Sequence, residues 1–273
     1  VNIRLLDGLH LAFTVISSGG FIPTANLSNI INNDLQIFVL SIALLFPIVN
    51  FYLLFNIFTK KFEFQNHQED MHLIVTILLL TLFLYFFIIS HEGIANVFFA
   101  VTSSISTSGI STYSSNLDVS LFFILLTILG GSLISTSSGF KYIRFYILLK
   151  ISYQEIYRIV KPKNIFNKNL FNTQSKISDD DSKIAFLVFI LFIVSIFILS
   201  SILTLDNITF ENAFKLSILT LTNTVTSSLY GLDNLHFFDL SKLTRFSLIF
   251  FMIFGKIEII TILFLIRKFI FRK

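Results

Sequence analysis

Residues 100–112 read A-V-T-S-S-I-S-T-S-G-I-S-T, a hydroxyl-rich run with a single glycine, lodged between two strongly apolar stretches. A dehydrated cation at membrane depth needs closely spaced oxygens. A short extended run of carbonyls, held by small hydroxylated residues and freed by a glycine, supplies them. Irregular backbone is tolerated at that depth only where it is buried in protein or lines a water-filled path. The same composition also suits a polar surface loop, so the elements around it must decide.

Composition sets the class. With 54% apolar residues, 35 Phe, 13% charged residues and a mean hydropathy of +0.82, the chain reads as an all-α polytopic membrane protein with the bilayer as its solvent. Zero cysteines exclude disulfides and thiolate metal sites. The net charge of +4 is unevenly spread. Lys141, Arg144, Lys150, Arg158, Lys161, Lys163, Lys168 and Lys176 crowd one connection, and Arg267, Lys268, Arg272 and Lys273 close the chain. By the positive-inside rule both regions are cytoplasmic. These charges flank apolar spans, so anionic lipid is the expected partner and nucleic acid is not.

The chain then parses into alternating long and half-length apolar helices. Residues 1–18 are too short to cross a bilayer, which takes roughly 20 residues, and end in Ser18-Gly19-Gly20-Phe21. Spans are expected over 35–58, 72–90, 119–134, 183–205 and from 242 onward, with further half-length helices over 92–106 and 209–221. Residues 141–160 are expected along the cytoplasmic interface and 161–182 as a linker. Asn50, on the first span, is expected to hydrogen-bond a neighbouring helix. The implied domains are 1–58, 59–160, the linker 161–182, and 183–273.

An internal repeat ties the half-length helices together. Asp7, Asn96 and Asn212 each lie thirteen residues before Gly20, Gly109 and Val225, and Ser18, Thr107 and Asn223 stand two residues before those same positions. A helix of about thirteen residues covers ~20 Å and reaches mid-membrane only. Its C-terminal dipole end then faces the polar segment, where partial negative charge favours a cation.

This arrangement resembles the Trk/Ktr/HKT superfamily of potassium uptake proteins, most closely the bacterial TrkH-type pore subunit, built from four helix, pore-loop, helix repeats. The family's H-x8-G-G-F run is matched by His10, Gly19, Gly20 and Phe21, and its T-T-G-F-x-T loop by Thr107, Ser108, Gly109, Ile110 and Thr112. The family's glycine-rich intramembrane segment is matched by Gly130, Gly131, Ser135, Thr136, Gly139, Lys141 and Arg144, and its closing G-R-x-E by Gly255, Lys256, Ile257 and Glu258. The resemblance implies a selectivity filter whose backbone carbonyls bind potassium, with sodium as the alternative ion. These carbonyls belong to Ser18, Gly19, Gly20 and Phe21, to Thr107, Ser108, Gly109 and Ile110, and to Asn223, Thr224 and Val225. It implies a gate at Gly130, Gly131, Ser135, Thr136, Gly139, Lys141 and Lys256. Glu258 and Arg144 are expected as a structural ion pair. No cofactor is implied beyond the transported ion. The implied partners are a second copy in a homodimer and a cytoplasmic nucleotide-binding regulatory subunit, and the implied place is the bacterial inner membrane with the C-terminus cytoplasmic.

Three departures qualify the match. Val225 stands where the family has a glycine, and a β-branched residue resists positive φ. Ile134 and Ser138 replace two glycines of the gate segment, which should stiffen it. The first repeat has no counterpart, so either a separate N-terminal piece supplies it or the chain is a truncated, nonconducting structural or regulatory copy. Lys256 and Glu258 point ~200° apart on a helix; by resemblance Lys256 faces the cavity below the filter, and pairing of both within the bundle is the alternative. Lys141 and Arg144 also suit interface anchors that snorkel to headgroups. An enzyme is not expected. His91-Glu92 opens an H-E-x-x-H pattern that fails at Ala95, no G-x-S-x-G or Walker loop occurs, and the five histidines lack ligand spacing.

Overall fold

The computed structural model describes residues 3–24, 27–31, 33–60, 67–89, 92–112, 117–161, 169–171, 177–232 and 240–257. Ten α-helices carry the described fold: α1 (Leu5–Ser17), α2 (Asp34–Ala43), α3 (Phe51–Phe58), α4 (Gln68–Phe87), α5 (Ile94–Ile105), α6 (Leu117–Ile128), α7 (Tyr142–Val160), α8 (Asp179–Thr204), α9 (Phe210–Leu221) and α10 (Lys242–Ile257). Among the described residues there is no named strand, only an isolated bridge between Leu129 and Phe140. Among the described residues two helices, α4 with 20 residues and α8 with 26, are long and apolar enough to cross a membrane in one piece.

The expected span over 35–58 is broken. Pro47 lacks an N–H and its ring clashes with the preceding turn, so α2 stops at Ala43 and the chain restarts as α3 at Phe51. Asn50 caps the restart: its side chain accepts the Tyr52 N–H at 2.9 Å. Its expected role as glue between spans is therefore corrected to that of a helix cap. The expected span over 119–134 also ends early, at Ile128. There Gly130 and Gly131 let the chain turn back, and the Gly130 N–H donates to the Phe140 carbonyl while the Phe140 N–H donates to Ile128. Residues 130–139 thus form a loop rather than the end of a helix, over the segment expected to be intramembrane.

α8 begins at Asp179, four residues earlier than 183, because Ser178 and Asp181 form a reciprocal capping box. Asp181 Oδ2 accepts the Ser178 N–H at 3.0 Å and the Asp181 N–H returns to Ser178 Oγ at 3.1 Å. The remainder of the expected linker lies largely outside the described residues, as does everything after Ile257.

The half-length helices are buried unequally. α5 buries every residue from Val97 to Ile105, packed between α2, α4 and α6, and α9 is enclosed by α6, α8 and α10. α1 buries only Leu11, Thr14 and Val15, and rests on Leu40, Leu44 and Phe99. Lipid tails are as apolar as Leu, so close packing of small residues rather than escape from water holds such helices together. Ala100, Thr102, Ser103 and Ser104 supply small side chains along α5, and Gly255 lets α10 approach so closely that a Cβ there would stand 1.8 Å from the Leu221 carbonyl oxygen.

Candidate functional site

The three half-length helices end in the same way. In each, the residue after the last turn takes a left-handed conformation: Ser18 at φ 50°, Thr107 at φ 60° and Asn223 at φ 52°. Each makes the same pair of backbone bonds. Ser18, Thr107 and Asn223 donate to Val15, Ser104 and Thr220, while Gly19, Ser108 and Thr224 donate to Thr14, Ser103 and Leu219. This is a Schellman closure, which normally carries glycine at the left-handed position. Ser and Thr there store about 1–2 kcal/mol of backbone strain each, which the surrounding contacts must offset.

Two residues further on the loops diverge. Gly20 and Gly109 adopt φ of 72° and 73°, whereas Val225 stays out of the positive-φ region. All three loops gather at one point. A Cβ on Gly20 would meet the Ser108 carbonyl oxygen at 1.8 Å and Val225 Cγ2 at 2.7 Å, and one on Gly109 would meet the Val225 carbonyl oxygen at 2.4 Å. A cavity of about 510 Å³ opens beside this junction, bounded by Ser18, Gly19, Asn223, Val225 and Lys256 among others. Phe21 projects outward, while Ile110 is buried against α1 and α2.

The residues behind the second loop form a hydroxyl web that the repeat spacing did not single out. Ser103 Oγ donates to the Ile110 carbonyl at 2.6 Å and lies 3.2 Å from Ser108 Oγ, which also receives the Ser106 hydroxyl at 3.1 Å. In the last loop the corresponding contact is a single one, Thr222 Oγ1 to Thr224 Oγ1 at 2.8 Å.

The intramembrane loop lies directly against the half-helix ends. Ser18 Oγ donates to the Thr136 carbonyl at 3.0 Å, and the Ser138 N–H donates to Thr107 Oγ1 at 3.1 Å. Two ammonium groups grip the carbonyls of the same run from different directions. Lys256 Nζ donates to the Thr136 carbonyl at 2.7 Å, and Lys141 Nζ donates to the Ser137 carbonyl at 2.8 Å, the Ser135 carbonyl at 3.2 Å and Ser135 Oγ at 3.1 Å. Lys141 is 8% exposed, so its side chain does not reach out to headgroups as an interface anchor would. Gly130 and Gly131 sit where a Cβ would meet the Ser138 and Ile48 carbonyl oxygens at 2.4 and 2.3 Å, and Gly139 holds φ 83°. Only glycine fits those three positions. Arg144 lies on the first turns of α7, and Glu258, its expected ion-pair partner, falls outside the described residues.

No protein-family model matches the chain. The chain is 32% identical over 161 residues to an uncharacterized cation transporter of Methanocaldococcus jannaschii, a stretch covering 58% of this chain and 33% of that protein. It superposes on the crystal structure of the potassium transporter TrkH from Vibrio parahaemolyticus with a TM-score of 0.85 at 22% identity, covering 97% of this chain and 58% of that one. The chain therefore spans about a third of the archaeal relative and just over half of the solved transporter. The all-α architecture is that of the solved TrkH transporter, a likeness of fold.

Proposed function

We propose that this chain is a pore-forming element for uptake of a monovalent cation, potassium, across a cell membrane. The observation that carries the reading is the convergence of three identically closed half-helices on one point, above a loop whose carbonyls are gripped by lysine ammonium groups. Helix C-termini present partial negative charge, and strained left-handed Ser18, Thr107 and Asn223 hold the backbone carbonyls of the following residues near the junction. The ion would shed water onto the carbonyls of 18–21, 107–110 and 223–225, and then meet the loop 130–139 as a gate. Lys256, bonded to the Thr136 carbonyl, puts fixed positive charge in that path and opposes cation entry until it moves. The similar proteins are a potassium transporter and a cation transporter, which supports the ion class. A bacterial inner membrane location, a cytoplasmic C-terminus, a homodimer and a cytoplasmic nucleotide-binding subunit extend this proposal through the same resemblance.

A second reading, a nonconducting structural or regulatory copy, is favoured by one feature: Val225 Cγ2 and the Ser108 carbonyl crowd Gly20, closing the loops on one another. Rubidium uptake into a bacterial host lacking its own potassium uptake separates the two. The transport reading expects uptake above an empty vector, rising in Lys256→Gln as the charge barrier is removed. No uptake with either the unaltered chain or Lys256→Gln would overturn it.

A further inference from the structure

The intramembrane loop is also held from the start of α4, by residues that neither the repeat nor the filter accounts for. Glu69 Oε1 accepts the Leu133 N–H at 3.0 Å, and the next residue, Asp70, accepts the Asn50 N–H on Oδ1 at 2.7 Å. The two segments so held are themselves zipped together by backbone. Ser132 N–H donates to the Ile48 carbonyl at 2.9 Å, Ser137 N–H to the Pro47 carbonyl at 3.1 Å, and Phe51 N–H to the Ile134 carbonyl at 2.9 Å. The proline break between α2 and α3 therefore frees the carbonyls that receive the loop.

Asp70 is 1% exposed, and the buried His67 ring sits with Nδ1 3.6 Å from Asp70 Oδ2. The other ring nitrogen, Nε2, lies 3.0 Å from the Asn56 amide nitrogen of α3. With Asn56 donating, Nε2 accepts, and the ring proton falls on Nδ1, facing the carboxylate. Lys141 grips the far side of the same loop. Asp70 is a buried carboxylate and is costly unless paired, whereas Glu69 is partly covered and reaches the loop through a more exposed bond.

We propose that Glu69 and Asp70 form a clamp that positions the intramembrane loop and the α2–α3 break as one block, so that the loop leaves its place against Ser18 and Thr107 only when the clamp releases. Both are positioning residues, acting through the backbone N–H groups of Leu133 and Asn50. The proposal rests on reading 130–139 as a gate, but its test does not need ion flow.

The chain has no cysteine, so a single cysteine reports cleanly. Ser138 is 3% exposed and its hydroxyl has no partner, which makes Ser138→Cys a mild substitution beneath the half-helix ends. Its rate of modification by a water-soluble thiol reagent measures how often the loop opens. Glu69→Gln and Asp70→Asn keep an acceptor oxygen, whereas Glu69→Leu and Asp70→Leu remove it. The clamp predicts that the Leu variants raise the modification rate about tenfold, equivalent to about 1.4 kcal/mol, and that the Gln and Asn variants stay within about twofold. Equal rates in all four variants would overturn it, and so would Gln and Asn variants as fast as the Leu variants, since charge and not the acceptor would then hold the loop. Glu69 is only partly covered, so Glu69→Leu carries the test should Asp70→Leu fail to give monodisperse protein. Absent rubidium uptake with an intact clamp would sink the transport reading alone, and rapid modification in the unaltered chain would sink the clamp alone.

Discussion

The loops that follow α5 and α9 begin alike and finish differently. Both close a buried half-helix with the same two backbone bonds and a left-handed residue, Thr107 in one and Asn223 in the other. The first then turns through Gly109 at φ 73°, is knitted by Ser103, Ser106 and Ser108, and uses Thr107 to hold the intramembrane loop. The second reaches Val225 without positive φ and sends the Asn223 side chain to the Met252 carbonyl of α10 at 2.9 Å. The shared start shows that the helix closure forms with Thr107 as well as with Asn223, although the β-branched Thr107 is strained there. The different finish shows that the glycine two residues later, not the cap, sets the path of the following backbone.

That contrast orders the expected effects. Gly109→Ala should be the most damaging change, because it combines strained φ with a Cβ 2.4 Å from the Val225 carbonyl. A loss of roughly 2–4 kcal/mol in detergent unfolding is expected, together with loss of rubidium uptake, whereas Val225→Ala should leave the backbone path unchanged. Thr107→Val comes next. It strips the acceptor from the buried Ser138 N–H and should cost about 1–3 kcal/mol, while Asn223→Leu, which loses a more exposed contact, should cost under about 1 kcal/mol. Equal losses would erase the distinction between the loops. Val225→Gly should move the last loop toward the first and shift the potassium-to-sodium uptake ratio severalfold, by about 1 kcal/mol; an unchanged ratio would mean that the loop finish has no part in selection.

The smallest effect lies outside the spans. Hydrogen bonds from the Thr244 side chain and the Ser241 N–H hold the Asp206 carboxyl below the ordinary carboxylate range. Because its folded value is lowered, the contribution of Asp206 is present above its unfolded value, about pH 3.9, and fades as pH falls through the folded one. Asp206→Asn should therefore narrow the gap between neutral and acid stability slightly in thermal scans, with no change in ion selectivity.

Much of this was legible in residue spacing. The thirteen-residue interval marks all three half-helices, and the left-handed positions coincide with Ser18, Thr107 and Asn223, the residues that stand two before Gly20, Gly109 and Val225. What escaped was set by tertiary pairing. Pro47 announces a break, yet apolar composition on both sides masked it, and the partners of the freed carbonyls lie some 90 residues away. Glu69 and Asp70 stand beside a polar, charged stretch, and nothing local shows that their oxygens meet Leu133 and Asn50. Lys141 sits in a basic run, and only the turn at Gly139 aims it back into the loop.

The central claim is that the three loops together coordinate a dehydrated monovalent cation. Anomalous diffraction from crystals grown with thallium, a potassium analogue, tests it most directly. The account predicts a peak at the junction of 18–20, 107–109 and 223–225, ringed by backbone oxygens and separated from Lys256 Nζ. Saturating thallium with no density at that junction would contradict it.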